Sequence, residues 1–277
     1  MTKEALNSDP IVPNEGWHVI HLFYQIDHGQ WSVFSEDEKL KAKTNLTKLI
    51  HDIRTSLNTQ ILSFSIVTPK ADIGFMLLTD DLHLANSFEK QLTLALGPDI
   101  LTPSFSYLSM TETGEYMTTS EEYAQKNLIG ERGMTKDSDE YNTSLEEFQK
   151  HIEKYTKDKL YPSMPDWPVF CFYSMAKRRG EVYNWYKLDH SKRKELMVEH
   201  GKVGRRWAGK IRQLITGSVG LDDSEWGVSL FAKNSFEFKS IVYQMRFDEV
   251  SVKYGEFGDF YIGLQLPLDQ LFRRVGL

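Results

Sequence analysis

The 277-residue chain has a single cysteine, Cys171. That excludes an internal disulfide and any zinc or iron–sulfur site built from several thiolates. Its setting, Val169-Phe170-Cys171-Phe172-Tyr173, makes a buried, core-filling thiol the expected state. No run of about 18 apolar residues exists to span a membrane, and residues 1–15 are too polar for a secretion signal. A cytoplasmic, reducing setting is therefore expected. Basic residues are outnumbered 33 to 39, for a net charge of −6, which argues against nucleic acid as the main partner. There is no phosphate-cradling glycine loop, no His-Glu-x-x-His helix and no Gly-x-Ser-x-Gly elbow. The absence of Cys-x-x-Cys-His excludes covalent haem attachment of the c type.

What is present is a repeated pattern. Residues 17–26 read as an aromatic and β-branched strand. Ser35 opens a helix with Glu38 at capping-box spacing, and Leu40, Leu46, Ile50 and Ile53 line one of its faces. Strands follow at 60–68 and 72–79 around the turn Pro69-Lys70. A helix over 80–96 stops at Gly97-Pro98, and a strand at 104–111 completes the order βαββαβ, the ferredoxin-like pattern. The order returns after Pro168: a strand at 169–175, a helix at 191–200 closed by Gly201, strands at 212–219 and 225–232, a helix at 234–252 and a strand at 259–266. The reading is α+β, a tandem of ferredoxin-like units over 1–111 and 159–277, whose open sheet faces can pack together. Between them, residues 112–158 form a polar segment with a helix near 144–155. It reads either as a solvated linker or as a flap over a pocket.

Two places carry possible chemistry. Tyr173, Met175 and Lys177 project to one face of their strand because side chains alternate. A tyrosine, a thioether and a cation suit a pocket wall facing a carboxylate, although a solvated strand end has the same sequence. His200 closes its helix, which suits an axial metal ligand and a helix-dipole contact equally. The stretch Gly204-Arg205-Arg206-Trp207-Ala208-Gly209-Lys210 mixes cations with an aromatic in the manner of a phosphate patch, against the acidic balance of the whole.

Longer motifs go further. Cys171-Phe172-Tyr173-Ser174-Met175-Ala176-Lys177-Arg178-Arg179, Asn184-Trp185-Tyr186 and Arg193-Lys194-Glu195-Leu196-Met197-Val198-Glu199-His200-Gly201 closely resemble the coproheme decarboxylases of the chlorite dismutase-like superfamily. So do Gln213-Leu214-Ile215-Thr216-Gly217-Ser218-Val219-Gly220-Leu221-Asp222-Asp223, Glu225-Trp226-Gly227-Val228, Tyr243–Ser251 and Gly255-Glu256-Phe257-Gly258. The resemblance covers roughly 159–267; in the first half it is one of pattern, best at Lys70–Met76.

That resemblance implies a dimeric α+β barrel assembled as a homopentamer, with the porphyrin in the C-terminal ferredoxin-like unit. It implies that Fe-coproporphyrin III (coproheme) is both substrate and redox centre, that hydrogen peroxide is the oxidant and that haem b is the product. By the same resemblance His200 is the proximal iron ligand, Tyr173 the hydrogen-abstracting tyrosine and Lys177 the lysine beside the reacting propionates. Met175 and Ser251 contact substrate, and Gln213 takes the distal position. Lys159 stands before Leu160-Tyr161-Pro162 where relatives carry an arginine, keeping the charge without the bidentate fork. Chlorite chemistry is the nearest alternative, and it is disfavoured by the neutral Gln213 where chlorite dismutases place an arginine. A haem carrier is the alternative of another class; it has no use for Tyr173.

Overall fold

In the computed structural model, residues 9–277 are described, so the polar stretch 1–15 lies in part outside the described residues. These residues form two compact units, one of 9–111 with 164–277 and the other of 112–163.

The first unit opens with β1 (His18–Ile26), α1 (His28–Val33), α2 (Glu36–Thr55), β2 (Thr59–Ile66), β3 (Ile73–Thr79), α3 (Leu82–Leu94) and β4 (Leu101–Met110). The local causes are legible. Ser35 and Glu38 make the reciprocal capping box that starts α2. Asp81 caps α3 by accepting the His83 N–H at 3.0 Å. The buried stripe of α2 is Ala42, Leu46, Ile50 and Ile53. Leu40, expected on that face, points to solvent, because the stripe follows steps of four and three back to Ala42.

The second unit carries α4 (Ser120–Tyr123), a π-helical turn (Ala124–Glu131) and α5 (Asp139–Leu160). This is more helix than sequence reading assigns to the segment. Thr119 and Ser138 cap the two α-helices. Ala124, Leu128 and Tyr141 form a small apolar centre, and Tyr123 stacks on Phe148 with ring centres 3.9 Å apart.

The chain then returns to the first unit with β5 (Val169–Lys177), α6 (His190–Arg205), β6 (Ile211–Gly217) and β7 (Trp226–Ala232). It ends with α7 (Ser235–Met245), α8 (Glu249–Tyr254), β8 (Gly255–Phe257), β9 (Tyr261–Gln265) and α9 (Leu268–Arg274). Two expectations are corrected here. α6 does not stop at Gly201 but runs on to Arg205, through Gly201 and Gly204. Neither glycine takes the positive φ of a helix stop. The helix expected over 234–252 is two, broken where Asp248 turns its carboxylate back to accept the Ser251 N–H at 2.9 Å. α1, β8 and α9 were not foreseen.

All strand pairings are antiparallel, in the order β7-β6-β4-β1-β3-β2-β9-β5-β8, with β5 also paired to β7. The order thus returns to its starting strand. The two halves repeat one scheme: β1 pairs β3 and β4 as β5 pairs β7 and β9, and β2 lies beside β3 as β6 lies beside β7. They meet at two seams. At one, Phe64, Ser65 and Ile66 of β2 face Gln265, Leu264 and Gly263 of β9. At the other, Met110 of β4 faces Gly217 of β6, and side chains add what the ladder lacks. The Tyr107 hydroxyl bonds Ser218 and donates to the Ser224 carbonyl, Thr216 bonds Ser109 at 2.8 Å, and the Leu108 N–H donates to Asp222 at 2.8 Å. Gly227 lies under this seam; a Cβ there would stand 2.8 Å from the Tyr107 ring.

Three apolar cores follow from strand alternation. Leu22, Tyr24, Phe75 and Leu77 pack under α2 and α3, joined by Phe272 from α9. Val19, Phe23, Phe64 and Met76 meet Phe170, Phe172, Phe231 and Tyr261 on the face the two halves share. Cys171, Tyr173, Val228 and Leu230 pack with Trp207, Phe238 and Ile241 on the helix-covered face of the second half.

Candidate active site

The helix-covered face of the second half differs from its counterpart in the first by carrying reactive groups. On β5, Phe170 and Phe172 go to the shared core, while Cys171, Tyr173, Met175 and Lys177 turn the other way. Register extends this face sideways. Gln213 of β6 lies opposite Leu230 of β7, which lies opposite Cys171 of β5, so Gln213 shares the face of Tyr173 and the exposed Arg212 does not. Expected parity is met at every one of these positions.

Tyr173 is buried against Phe260, ring centres 4.5 Å apart, and Phe257. Burial raises its phenol pKa, the neighbouring Cys171 adds to that, and Arg246 opposes it. The hydroxyl therefore keeps its hydrogen at neutral pH. Lys177 is also buried, with its ammonium 4.7 Å from the centre of the Trp185 ring. Burial lowers its pKa to about 8, while the carboxylates of Asp248 and Glu225 oppose the shift.

His200 lies inside α6 rather than at its end, and its Nδ1 is 2.9 Å from an Asp248 oxygen. With the proton on Nδ1 donated to that carboxylate, the Nε2 lone pair is left for a metal. Ser251 bonds the same Asp248 through its hydroxyl, at 3.2 Å, and through its N–H. Burial pushes the Asp248 pKa up, but the hydrogen bonds and charge of His200 and the Ser251 bonds outweigh it, and the net shift is downward. One helical turn beyond His200, a Cβ on Gly204 would stand 3.7 Å from Gln213 Nε2 and 3.3 Å from the methyl of Met245. α6 thus lies against Gln213 and α7, and Asp248 bonds both His200 and Ser251.

Six of the seven expected residues, Tyr173, Met175, Lys177, His200, Gln213 and Ser251, belong to the first unit. Lys159 stands in the last turn of α5, in the other unit, close to Gly114. Sequence reasoning missed Asp248, Glu225, Arg246 and Trp185. Asp248 had a readable signal, an aspartate three residues before a serine in a helix-forming stretch. Arg246, whose guanidinium lies 5.1 Å over Phe257, and Glu225, which is bonded to the start of the 178–187 hairpin, lie inside family motifs, but their contacts depend on tertiary packing.

The donor set suits an iron porphyrin: an imidazole fixed through one nitrogen, cations for carboxylates and a phenol that stays protonated. Among the described residues no group of three or more His, Cys, Asp or Glu side chains could hold a bare metal ion.

The chlorite dismutase family model matches residues 39–266, extending well into the half where sequence motifs gave only pattern. The coproheme decarboxylase of Staphylococcus saprophyticus is 39% identical over 260 residues, covering 93% of this chain and 94% of its own. That of Staphylococcus carnosus is 37% identical over 264 residues, with the same coverage. The solved structure of a haem-binding protein from Thermus thermophilus superposes with a TM-score of 0.77 at 34% identity, covering 95% of this chain and 96% of that one. A chlorite dismutase variant from Candidatus Nitrospira defluvii, at 16% identity and TM-score 0.69, covers 96% and 97% and shares the fold. The chain belongs to the chlorite dismutase family, within which these curated relatives are coproheme decarboxylases.

Proposed function

We propose that this chain is a coproheme decarboxylase. It binds Fe-coproporphyrin III and uses hydrogen peroxide to convert two of its four propionates to vinyl groups, giving haem b. The observation that carries the reading is the His200–Asp248 pair, set beside a strand face bearing Tyr173 and Lys177. Each turnover balances as one propionate, one peroxide and one proton yielding one vinyl group, one carbon dioxide and two waters.

When bound, the ferric porphyrin supplies the oxidising power that peroxide delivers. The chain's own residues do the rest. His200 would hold the iron through Nε2 while Asp248 fixes the ring. Tyr173, kept protonated by burial, would pass its hydrogen atom on and take one from the propionate β-carbon. Lys177 would orient the reacting carboxylate with a charge strengthened by its dry surroundings. Met175 and Ser251 would contact the substrate, and Lys159, by the family resemblance, would be a further propionate contact. By the family resemblance Gln213 would line the peroxide site without bringing a fixed cation, which suits neutral peroxide better than anionic chlorite. The returning strand order is read as the barrel of the family, with the homopentamer as assembly and the cytoplasm as location. No helix among the described residues is long and apolar enough to cross a membrane.

The test is mass-resolved porphyrin analysis after peroxide is added to the protein loaded with ferric coproheme. Loss of two carboxyl groups with haem b as product supports the reading; tight binding followed only by bleaching overturns it. Tyr173→Phe should keep binding and lose at least about 100-fold in turnover, the scale of a removed reacting group. His200→Ala should instead change the iron spectrum.

A further inference from the structure

Glu225 is a buried carboxylate just before β7 that the proposed reaction leaves without a task. One of its oxygens accepts the backbone N–H of Lys177 at 3.0 Å. The other accepts the Tyr186 hydroxyl at 3.1 Å and lies 3.4 Å from the Arg179 guanidinium. These three partners stand at the two ends of one hairpin. Arg179 bridges Asn184, Trp185 N–H donates to the Arg178 carbonyl at 3.0 Å, and Gly180 N–H donates to the Tyr183 carbonyl at 3.0 Å. The hairpin carries Trp185, the ring that covers the Lys177 ammonium. Glu225 also receives the Ser218 N–H on its own carbonyl, which ties the loop between β6 and β7 to the same point.

A buried carboxylate is retained at a cost unless its hydrogen bonds are filled. Here they are filled by groups that all locate one short hairpin. The Lys177 ammonium lies 4.7 Å from the centre of the Trp185 ring, and the charges of Asp248 and Glu225 favour its protonated form.

We infer that Glu225 is a positioning residue: it clamps the 178–187 hairpin so that Trp185 roofs Lys177 and holds its ammonium in a water-poor place facing the substrate carboxylate. The inference rests on the assignment of Lys177 to the reacting propionate, but the clamp itself is measurable without porphyrin. A cation held this way acts on a carboxylate more strongly than one in bulk water, because the surrounding medium screens less.

The experiment compares acylation of Lys177 by acetic anhydride with that of the exposed Lys187 in the full chain, read by peptide mass. The lone buried Cys171, on the same strand, serves as reporter of the sheet through its reactivity toward a thiol reagent. Glu225→Ala should raise the Lys177 to Lys187 ratio about tenfold, the scale of losing hydrogen bonds to a charged group. Cys171 should remain unreactive. Glu225→Gln, which keeps an acceptor for the Lys177 N–H, should restore most of the protection. In the loaded protein Glu225→Ala should slow decarboxylation while leaving the ferric spectrum, set by His200, unchanged. An unchanged Lys177 ratio overturns the inference. So does a parallel rise at Cys171, which would make Glu225 a support of the whole sheet. If Glu225→Ala does not fold, Tyr186→Phe removes one bond of the clamp and should still raise the ratio measurably; no rise there overturns it equally. Loss of the decarboxylase reading shows in the porphyrin assay alone and leaves the acylation result standing.

Discussion

Single residues set the working conditions. His21 is fully buried on the face the halves share, bonded through Nε2 to Ser229 at 2.7 Å and stacked on Phe172. Burial lowers its pKa from 6.5 to about 3. Below 6.5 the unfolded chain binds a proton here that the folded chain refuses, so stability falls as pH drops toward the folded value. The expected contribution is a slope of about 1.4 kcal/mol per pH unit between roughly pH 6 and 4. His21→Leu combined with Ser229→Ala should flatten that slope in chemical denaturation series; an unchanged slope would assign the acid sensitivity elsewhere. Asp248 holds the His200 ring through Nδ1. Asp248→Ala should weaken ferric coproheme binding about 10- to 100-fold, the usual cost of losing a metal ligand's orienting partner, and titration of the iron spectrum measures it. Of these residues His200, Tyr173 and Lys177 were legible in the sequence, because motif and strand parity mark them. Asp248 is visible as a helix cap and Glu225 as the first residue of a family motif, but neither role is, since nothing local distinguishes a carboxylate that packing will bury.

At the scale of elements, the seam between β4 and β6 shows side chains completing a sheet. With a single opposed residue pair, Met110 and Gly217, backbone bonds alone hold these strands weakly. Tyr107, Ser218, Thr216, Ser109 and Asp222 supply the rest. Tyr107→Phe leaves Ser218 and the Ser224 carbonyl without that hydroxyl and should cost about 1–3 kcal/mol, read from denaturant midpoints. A neutral result would mean that the seam is held by packing. A helix start is read correctly where a cap carries the signal, at Ser35; the second helix, expected from residue 80, begins two residues later behind the Asp81 cap. Helix ends divide: α3 ends just before Gly97, which takes a positive φ, whereas Gly201 is a stop signal in sequence that α6 runs through. A glycine stops a helix only when the following chain lets it take a positive φ, and here α6 continues to Arg205 before turning.

For the molecule as a whole, the duplicated α+β order was legible because each half repeats the same periodicities. How the halves join was not, because both seams unite residues far apart in sequence. Their shared core joins Phe23 and Phe64 to Phe170, Phe172 and Tyr261, with Phe64 and Phe170 stacked at 4.1 Å between ring centres. Neither half buries this face alone. A fragment of residues 164–277 should therefore lack the near-ultraviolet circular dichroism of fixed aromatics and gain it on mixing with residues 1–163. A fragment that folds unaided would show that the halves are independent.

The repeated scheme has a consequence for how such a protein changes over generations. In the first copy the helix-covered face is filled with Leu22, Tyr24, Phe75 and Leu77. In the second the equivalent face of β5 offers Tyr173, Met175 and Lys177. Substitutions on the outward positions of β5 can retune the chemistry without disturbing Phe170 and Phe172, which point the other way from the same strand. Alternate residues of one strand thus answer to separate demands, Phe170 and Phe172 to the shared core and Tyr173, Met175 and Lys177 to the candidate site.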